Sequence, residues 1–207
     1  MHDPKLHHWQ AVKRILRYLA GTINFGLLLK RQSSSSIIGF SDADWGADVD
    51  DRKSTTAYCI YIGSNLVSWS THKQKSVSRS STEAEYRAVA ALLTEVIWTQ
   101  SLLSELRIPF LTPKLYSDNL GAVLLSANPV MHSKTKHFEL DLHFVRDHIC
   151  KGNITLLHLP ARFQVADPLT KPVSGTVFLN VRDKLMVVPN PAMSLTGGVN
   201  QRDISPP

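Results

Sequence analysis

Apolar residues recur at helical spacing in some stretches of the chain and at strand spacing in others. Trp9, Val12, Ile15, Leu16 and Leu19 share one face of a helix predicted over 8–21, with Lys13, Arg14 and Arg17 elsewhere on its surface and Gly21 as C-cap. Residues 23–30 read as a strand, and the polar, serine-rich stretch 31–36 as a linker. Three strand signals follow: the short apolar run 37–42, the β-branched and aromatic run 55–62 that stops at Gly63, and 66–71 after the turn residues Gly63-Ser64-Asn65. A long helix is predicted over about 82–106, then a strand at 114–117, helices at 119–126 and 137–150, a strand at 154–159 and a last helical turn opened by Pro168. The order β-β-β-α-β-α-α-β-α predicts an α/β domain: an antiparallel meander, then strands separated by helices, hence a mixed sheet with helices on its faces. After Lys171 the pattern weakens and prolines and glycines accumulate, as in a loose tail.

Composition narrows the class. The 207 residues suit one domain with extensions, and 43% hydrophobic against 19% charged residues excludes a disordered chain. A net charge of +6 favours a polyanionic partner. Cys59 and Cys150 stand far apart in apolar surroundings and read as reduced core residues of an intracellular protein, with no zinc-type Cys/His spacing. The polar start MHDPKLHHWQ is no signal peptide, and the longest apolar run, 88–93, is too short to span a bilayer. A soluble protein of the cytoplasm is expected, with no membrane partner.

Carboxylates carry the chemistry. Asp42 ends the first strand of the meander and shares its parity with Ile38 and Phe40; its plain alternative is a turn residue, and Asp44 is a second candidate of the same parity. Asp48, Asp50 and Asp51 read as a solvated loop. Glu85 falls on one helical stripe with Val89, Leu92, Val96 and Leu103, so a carboxylate has been set on an apolar face. Burying it without a partner costs on the order of several kcal/mol, which calls for a cation or hydrogen-bond donors. Capping accounts for Glu83, four residues before Arg87 in the order that favours an exposed pair, better than for Glu85. Asp118 and Asp167 each precede a helix and taken singly read as caps. Collectively, carboxylates at strand and helix ends can meet at one sheet edge. Hard oxygen donors of this kind suit Mg²⁺ or Mn²⁺, and paired ions suit phosphodiester hydrolysis.

Other chemistry is poorly supported. His132, His137, His143 and His148 lack zinc spacing, and there is no nucleophile elbow, Walker motif or dinucleotide motif. Lys73, Lys75, Arg79, Lys134 and Lys136 are candidate phosphate contacts, the last two in a loop that reads equally as solvated.

Several ordered motifs together resemble a known family. SDADWGADVDDRKSTTAYCIYIG, SWSTHKQKSVSRSSTEAEYRA, LYSDNLGA, KHFELDLHFVRD and ADPLTKP are similar to the ribonuclease H region of copia-type retrotransposon Pol polyproteins, and HHWQAVKRILRYLAGTINFGLLL resembles the end of the preceding reverse transcriptase region. The resemblance runs from His7 to Pro172. It implies three parts: 1–31 as the end of the reverse transcriptase region, 35–172 as a ribonuclease H-like domain, and 173–207 as a loose tail. It implies a mixed five-stranded sheet flanked by helices, and it maps the family's catalytic, metal-holding carboxylates onto Asp42, Glu85, Asp118 and Asp167, with two Mg²⁺ or Mn²⁺ ions. One departure is that many relatives carry a histidine loop before the last aspartate, whereas 159–166 is short here and the nearby histidine is His158, in a strand.

The implied activity is endonucleolytic cleavage of the RNA strand of RNA–DNA hybrids, read by minor-groove shape and 2′-hydroxyls. The reverse transcriptase region is the expected protein partner, through the N-terminal helix. Because the chain starts partway through what resembles a polymerase, a fragment that binds nucleic acid and turns over weakly or not at all is the alternative. A transposase or integrase would set its glutamate on a later helix, whereas Glu85 precedes Asp118.

Overall fold

The computed structural model describes residues 3–32, 35–128 and 138–190, and the chain divides into two compact units, one of residues 1–28 with 187–207 and the other of residues 29–186. In the first unit, helix α1 (Leu6–Thr22) leads to the short strand β1 (Phe25–Leu27), which pairs antiparallel with β7 (Val187–Pro189). The strand is shorter than the predicted 23–30. The apolar face of α1 is present as predicted, but Trp9, Val12, Ile15, Leu16 and Leu19 are all exposed.

The second unit holds the expected mixed sheet of five strands, in the order β4-β3-β2-β5-β6. Strands β2 (Ile37–Asp44), β3 (Thr55–Ile62) and β4 (Asn65–Lys73) form the antiparallel meander, and β5 (Lys114–Ser117) and β6 (Thr155–His158) add in parallel. Gly63 takes φ +60° in the two-residue loop between β3 and β4, a conformation that a side chain would strain. The helices are α2 (Ser81–Glu105), α3 (Leu120–Ala127), α4 (Glu139–Cys150), the four-residue α5 (Asp167–Thr170) and α6 (Gly175–Lys184).

Both faces of β2 are covered, which is why it reads as an apolar run. Ile37 joins Ile60, Leu115 and the α2 residues Tyr86, Val89, Leu92, Leu93 and Val96 in the larger core. Each fully buried side chain of this size contributes about 1.5–3 kcal/mol. Ile38 and Phe40 face the other way, toward Cys59, Tyr61, Leu66, Val165 and Leu169. Gly39 explains how α2 lies so close. A Cβ there would stand 2.8 Å from Leu92 Cδ1 and 3.0 Å from Leu115 Cδ2, so only glycine leaves room for the helix.

Several expectations change. Cys59 is buried, but Cys150 is exposed at the last position of α4 and belongs to no core. The stretch read as a loose tail carries α6 and β7 within its described part. Among the described residues no helix is long and apolar enough to cross a membrane.

Candidate metal centre

Three elements of the second unit deliver carboxylates to one place. Asp42 lies two residues before the end of β2, Glu85 is in the second turn of α2, and Asp118 is the first residue after β5. Each offers one oxygen, and the three oxygens lie within 4.8 Å of one another. Parallel pairing of β2 with β5 sets Asp42 and Asp118 at neighbouring strand ends, and α2 crossing over Gly39 sets Glu85 above them.

The capping alternatives are used by other residues. Ser80 Oγ accepts from the Glu83 N–H at 3.1 Å, so Glu83 belongs to the α2 cap. The Glu83 carboxylate accepts from the Arg79 N–H at 2.9 Å and pairs with Arg87 at 2.7 Å. The Glu83–Arg87 pair is therefore present, but Glu83 is buried rather than exposed. Asn119, and not Asp118, caps α3, its Oδ1 accepting from Ala122 N–H at 2.9 Å. Asp118 and Glu85 are left without a helix to cap.

Hydrogen bonds orient the carboxylates. Glu85 Oε1 accepts from the Ala43 N–H at 3.1 Å, and Thr170 Oγ1 donates to Asp42 Oδ2 at 2.6 Å. Gln164 Nε2 donates to the Ser41 carbonyl at 2.9 Å, fixing the turn before α5 against β2. The Asp118 carbonyl lies 3.2 Å from His158 Nε2. Asp44 accepts from the Thr55 N–H and holds the loop after β2, apart from the group of three.

The electrostatics are those of crowded anions. Burial first, then the charges of Asp42 and Asp118, push Glu85 up to about 9, against the pull of the Ala43 N–H. Burial also raises Asp42 to about 6, opposed by the Thr170 hydroxyl and reinforced by Asp118 and Asp167. Asp118 is raised as well, chiefly by burial. Glu85 Oε2 is buried with no hydrogen-bond partner among the described residues. A buried oxygen of this kind, facing two other carboxylates, asks for a cation. All three donors are hard oxygens, and the group contains no nitrogen or sulfur, so Mg²⁺ or Mn²⁺ fits better than zinc.

Asp167 opens α5 with Pro168 behind it, as expected, and its charge is felt at Asp42, Glu85 and Asp118. Its carboxylate, however, lies 2.5 Å from Lys171 Nζ and is not among the three converging oxygens. Thr170 and Lys171 were not singled out from sequence, although they follow Asp167 by three and four residues, a spacing at which side chains meet across a helical turn.

The candidate phosphate contacts are dispersed. Lys73 is claimed by Asp48 and, at 3.3 Å, by Asp51, so two of the three aspartates read as solvated are ion-paired, while Asp50 is exposed as expected. That pairing holds the Asp48 carboxyl well below its usual range. Lys75 lines a cavity of about 440 Å³ with His72, Arg87 and Asp141. Lys134 and Lys136 lie outside the described residues.

No protein-family model matches the chain. Two curated relatives from Arabidopsis thaliana do. The retrovirus-related Pol polyprotein from transposon RE1 is 50% identical over 188 residues, covering 90% of this chain and 13% of that protein. The one from transposon RE2 is 48% identical over 192 residues, covering 92% and 13%. The chain's homologues at about half identity over nine-tenths of its length are Pol polyproteins of copia-type transposons. The chain spans about an eighth of the length of these relatives. Its fold is that of ribonuclease H: LC11-RNase H1, isolated from compost, aligns with TM-score 0.50 and 18% identity over 65% of this chain and 92% of that one.

Proposed function

We propose that this chain cleaves the RNA strand of RNA–DNA hybrids, using divalent ions held by Asp42, Glu85, Asp118 and Asp167. The observation that carries the reading is the meeting of three carboxylates from β2, α2 and the end of β5, with the buried Glu85 Oε2 lacking a donor among the described residues. A bound Mg²⁺ or Mn²⁺ ion supplies Lewis acidity for the charge that builds on a phosphodiester during hydrolysis.

The chain's own groups supply placement. The Ala43 N–H and the Thr170 hydroxyl each occupy one oxygen of Glu85 and Asp42, which leaves the other oxygen of each for an ion. Asp118, half-buried, stands at the open side, where a phosphate can approach. Water adds to phosphorus as the bond to the 3′ oxygen breaks, leaving a 5′-phosphate and a 3′-hydroxyl. The net charge of +6 favours the polyanionic hybrid, with Lys75 and Arg79 among the contacts proposed near the start of α2. The reverse transcriptase region is the proposed protein partner, meeting the exposed apolar face of α1. The proposed setting is the cell interior, where the hybrid is made.

A labelled RNA–DNA hybrid, incubated with and without Mg²⁺, tests this. Cleavage that needs Mg²⁺ and is abolished in Asp42→Asn and Glu85→Gln, with folding intact, supports it. Full activity in either variant rejects it. One observation favours a second reading, in which the segment binds hybrid without turnover: the Asp167 carboxylate is engaged by Lys171. Hybrid binding with no cleavage at any Mg²⁺ concentration would select that reading.

A further inference from the structure

Among the described residues, Lys171 is the cation whose charge reaches three of the four carboxylates proposed for the site. Its Nζ sits 2.5 Å from Asp167 Oδ1, and its charge acts on Asp42 and Asp118 as well. The neighbouring Thr170 pins α5 to Asp42 through a 2.6 Å hydrogen bond and turns back to the Asp167 carbonyl at 2.8 Å. The ammonium is therefore tethered beside the cluster rather than waving from a free loop. The three oxygens that converge are those of Asp42, Glu85 and Asp118, and the one absent from that group is the carboxylate that Lys171 holds.

We propose that Lys171 is a built-in counter-ion that occupies Asp167 until a second divalent ion displaces it. Resting on the metal-dependent reading above, this splits the site into unequal halves. The first ion meets Asp42, Glu85 and Asp118, none of which the ammonium holds in an ion pair. The second must take Asp167 from Lys171, and so binds more weakly. Displacement leaves an ammonium free beside the site, in reach of the phosphate oxygens that the second ion accompanies. Lys171 is thus a positioning residue that couples second-ion entry to substrate arrival.

The strength of the effect is bounded by exposure. The Lys171 side chain is 55% exposed and that of Asp167 28%. An exposed pair of this kind is worth up to about a five-fold change in an equilibrium constant.

Calorimetric titration of the full chain with Mn²⁺, without nucleic acid, tests the proposal. The wild type is expected to show a tighter and a weaker event. Lys171→Met tightens the weaker event by up to about five-fold and leaves the tighter event and the thermal stability nearly unchanged. Lys171→Arg, which keeps the charge, stays close to wild type. Asp167→Asn abolishes the weaker event alone. Two events of unchanged affinity in Lys171→Met, or both events surviving in Asp167→Asn, would overturn the counter-ion role while leaving the metal site standing. An absence of Mn²⁺ binding in both wild type and Glu85→Gln would overturn the metal reading itself, and this inference with it.

Discussion

Thr170 Oγ1 donates to Asp42 Oδ2 at 2.6 Å, joining α5 to β2 across 128 positions of sequence. The hydroxyl favours the ionised form of Asp42, whose carboxyl burial otherwise raises to about 6. Thr170→Val removes the donor. The Asp42 pKa then rises further, and more of the protein is protonated there at pH 6 than at pH 8. We expect Mn²⁺ binding to weaken several-fold at pH 6 and much less at pH 8. Stability should fall by about 1 kcal/mol. An equal deficit at both pH values would separate the hydroxyl from the titration of Asp42.

The metal-free protein should lose stability as pH rises. Glu85 titrates near 4.5 when exposed and near 9 when folded, and Asp42 moves from 3.8 to about 6. Between each pair of values the folded state binds more protons than the unfolded one, so the stability curve slopes downward with pH. The contribution of these two groups is full below about pH 4, falls most steeply from there to pH 6 where both titrate, and continues to fall until Glu85 ionises near 9. A tenfold change in a carboxyl's proton affinity on folding is worth about 1.4 kcal/mol, so a change of several kcal/mol is expected across the window. Denaturation in chelator at a series of pH values checks this. Glu85→Gln should flatten most of the slope, and Mg²⁺, which binds the ionised cluster, should restore stability most at the alkaline end.

Asp118→Asn separates repulsion from coordination. In chelator at pH 8, where Glu85 is still largely protonated, removing the Asp118 charge beside ionised Asp42 should stabilise the fold by about 1 kcal/mol, as measured by urea midpoint. In saturating Mn²⁺ the same variant should gain far less stability than wild type, since one of the converging oxygens has lost its charge. A variant less stable than wild type in chelator would show that Asp118 serves the fold rather than a cation.

The strand and helix pattern was legible because each element buries a face with a fixed period. The Glu85 stripe is the best instance: Val89, Leu92, Val96 and Leu103 are all buried, so the oddity of a carboxylate among them was visible in the spacing of residues alone. What a second element lays over a face was not visible. Glu83 looked exposed because an i,i+4 pair with Arg87 is usually a surface feature, yet its carboxylate is buried and also accepts from the Arg79 N–H. Cys150 looked apolar from its neighbours Ile149 and Phe144, but the last position of α4 faces water. The Lys171–Asp167 pair hid because i,i+4 ion pairs on a helix surface are common, and only the fold sets this one beside Asp42 and Asp118.

The approach of α2 to the sheet rests on a missing side chain. At Gly39, three residues before Asp42, a Cβ would press on Leu92 Cδ1 at 2.8 Å and on Leu115 Cδ2 at 3.0 Å, and both leucines are fully buried. Neither can turn away into solvent. Gly39→Ala should therefore destabilise the protein by about 1–3 kcal/mol, although alanine suits a strand better than glycine. The strain lies on the line from α2 to β2, along which Glu85 reaches the Ala43 N–H. Lifting the helix by a few tenths of an ångström lengthens that 3.1 Å hydrogen bond, so Mn²⁺ affinity should fall together with the urea midpoint. Leu92→Ala in the same background makes room for the new methyl and should recover part of the metal affinity while lowering stability further, at a cost of about 2–5 kcal/mol for the lost core volume. Metal affinity unchanged in Gly39→Ala would show that the seating of α2 on β2 does not set the position of Glu85.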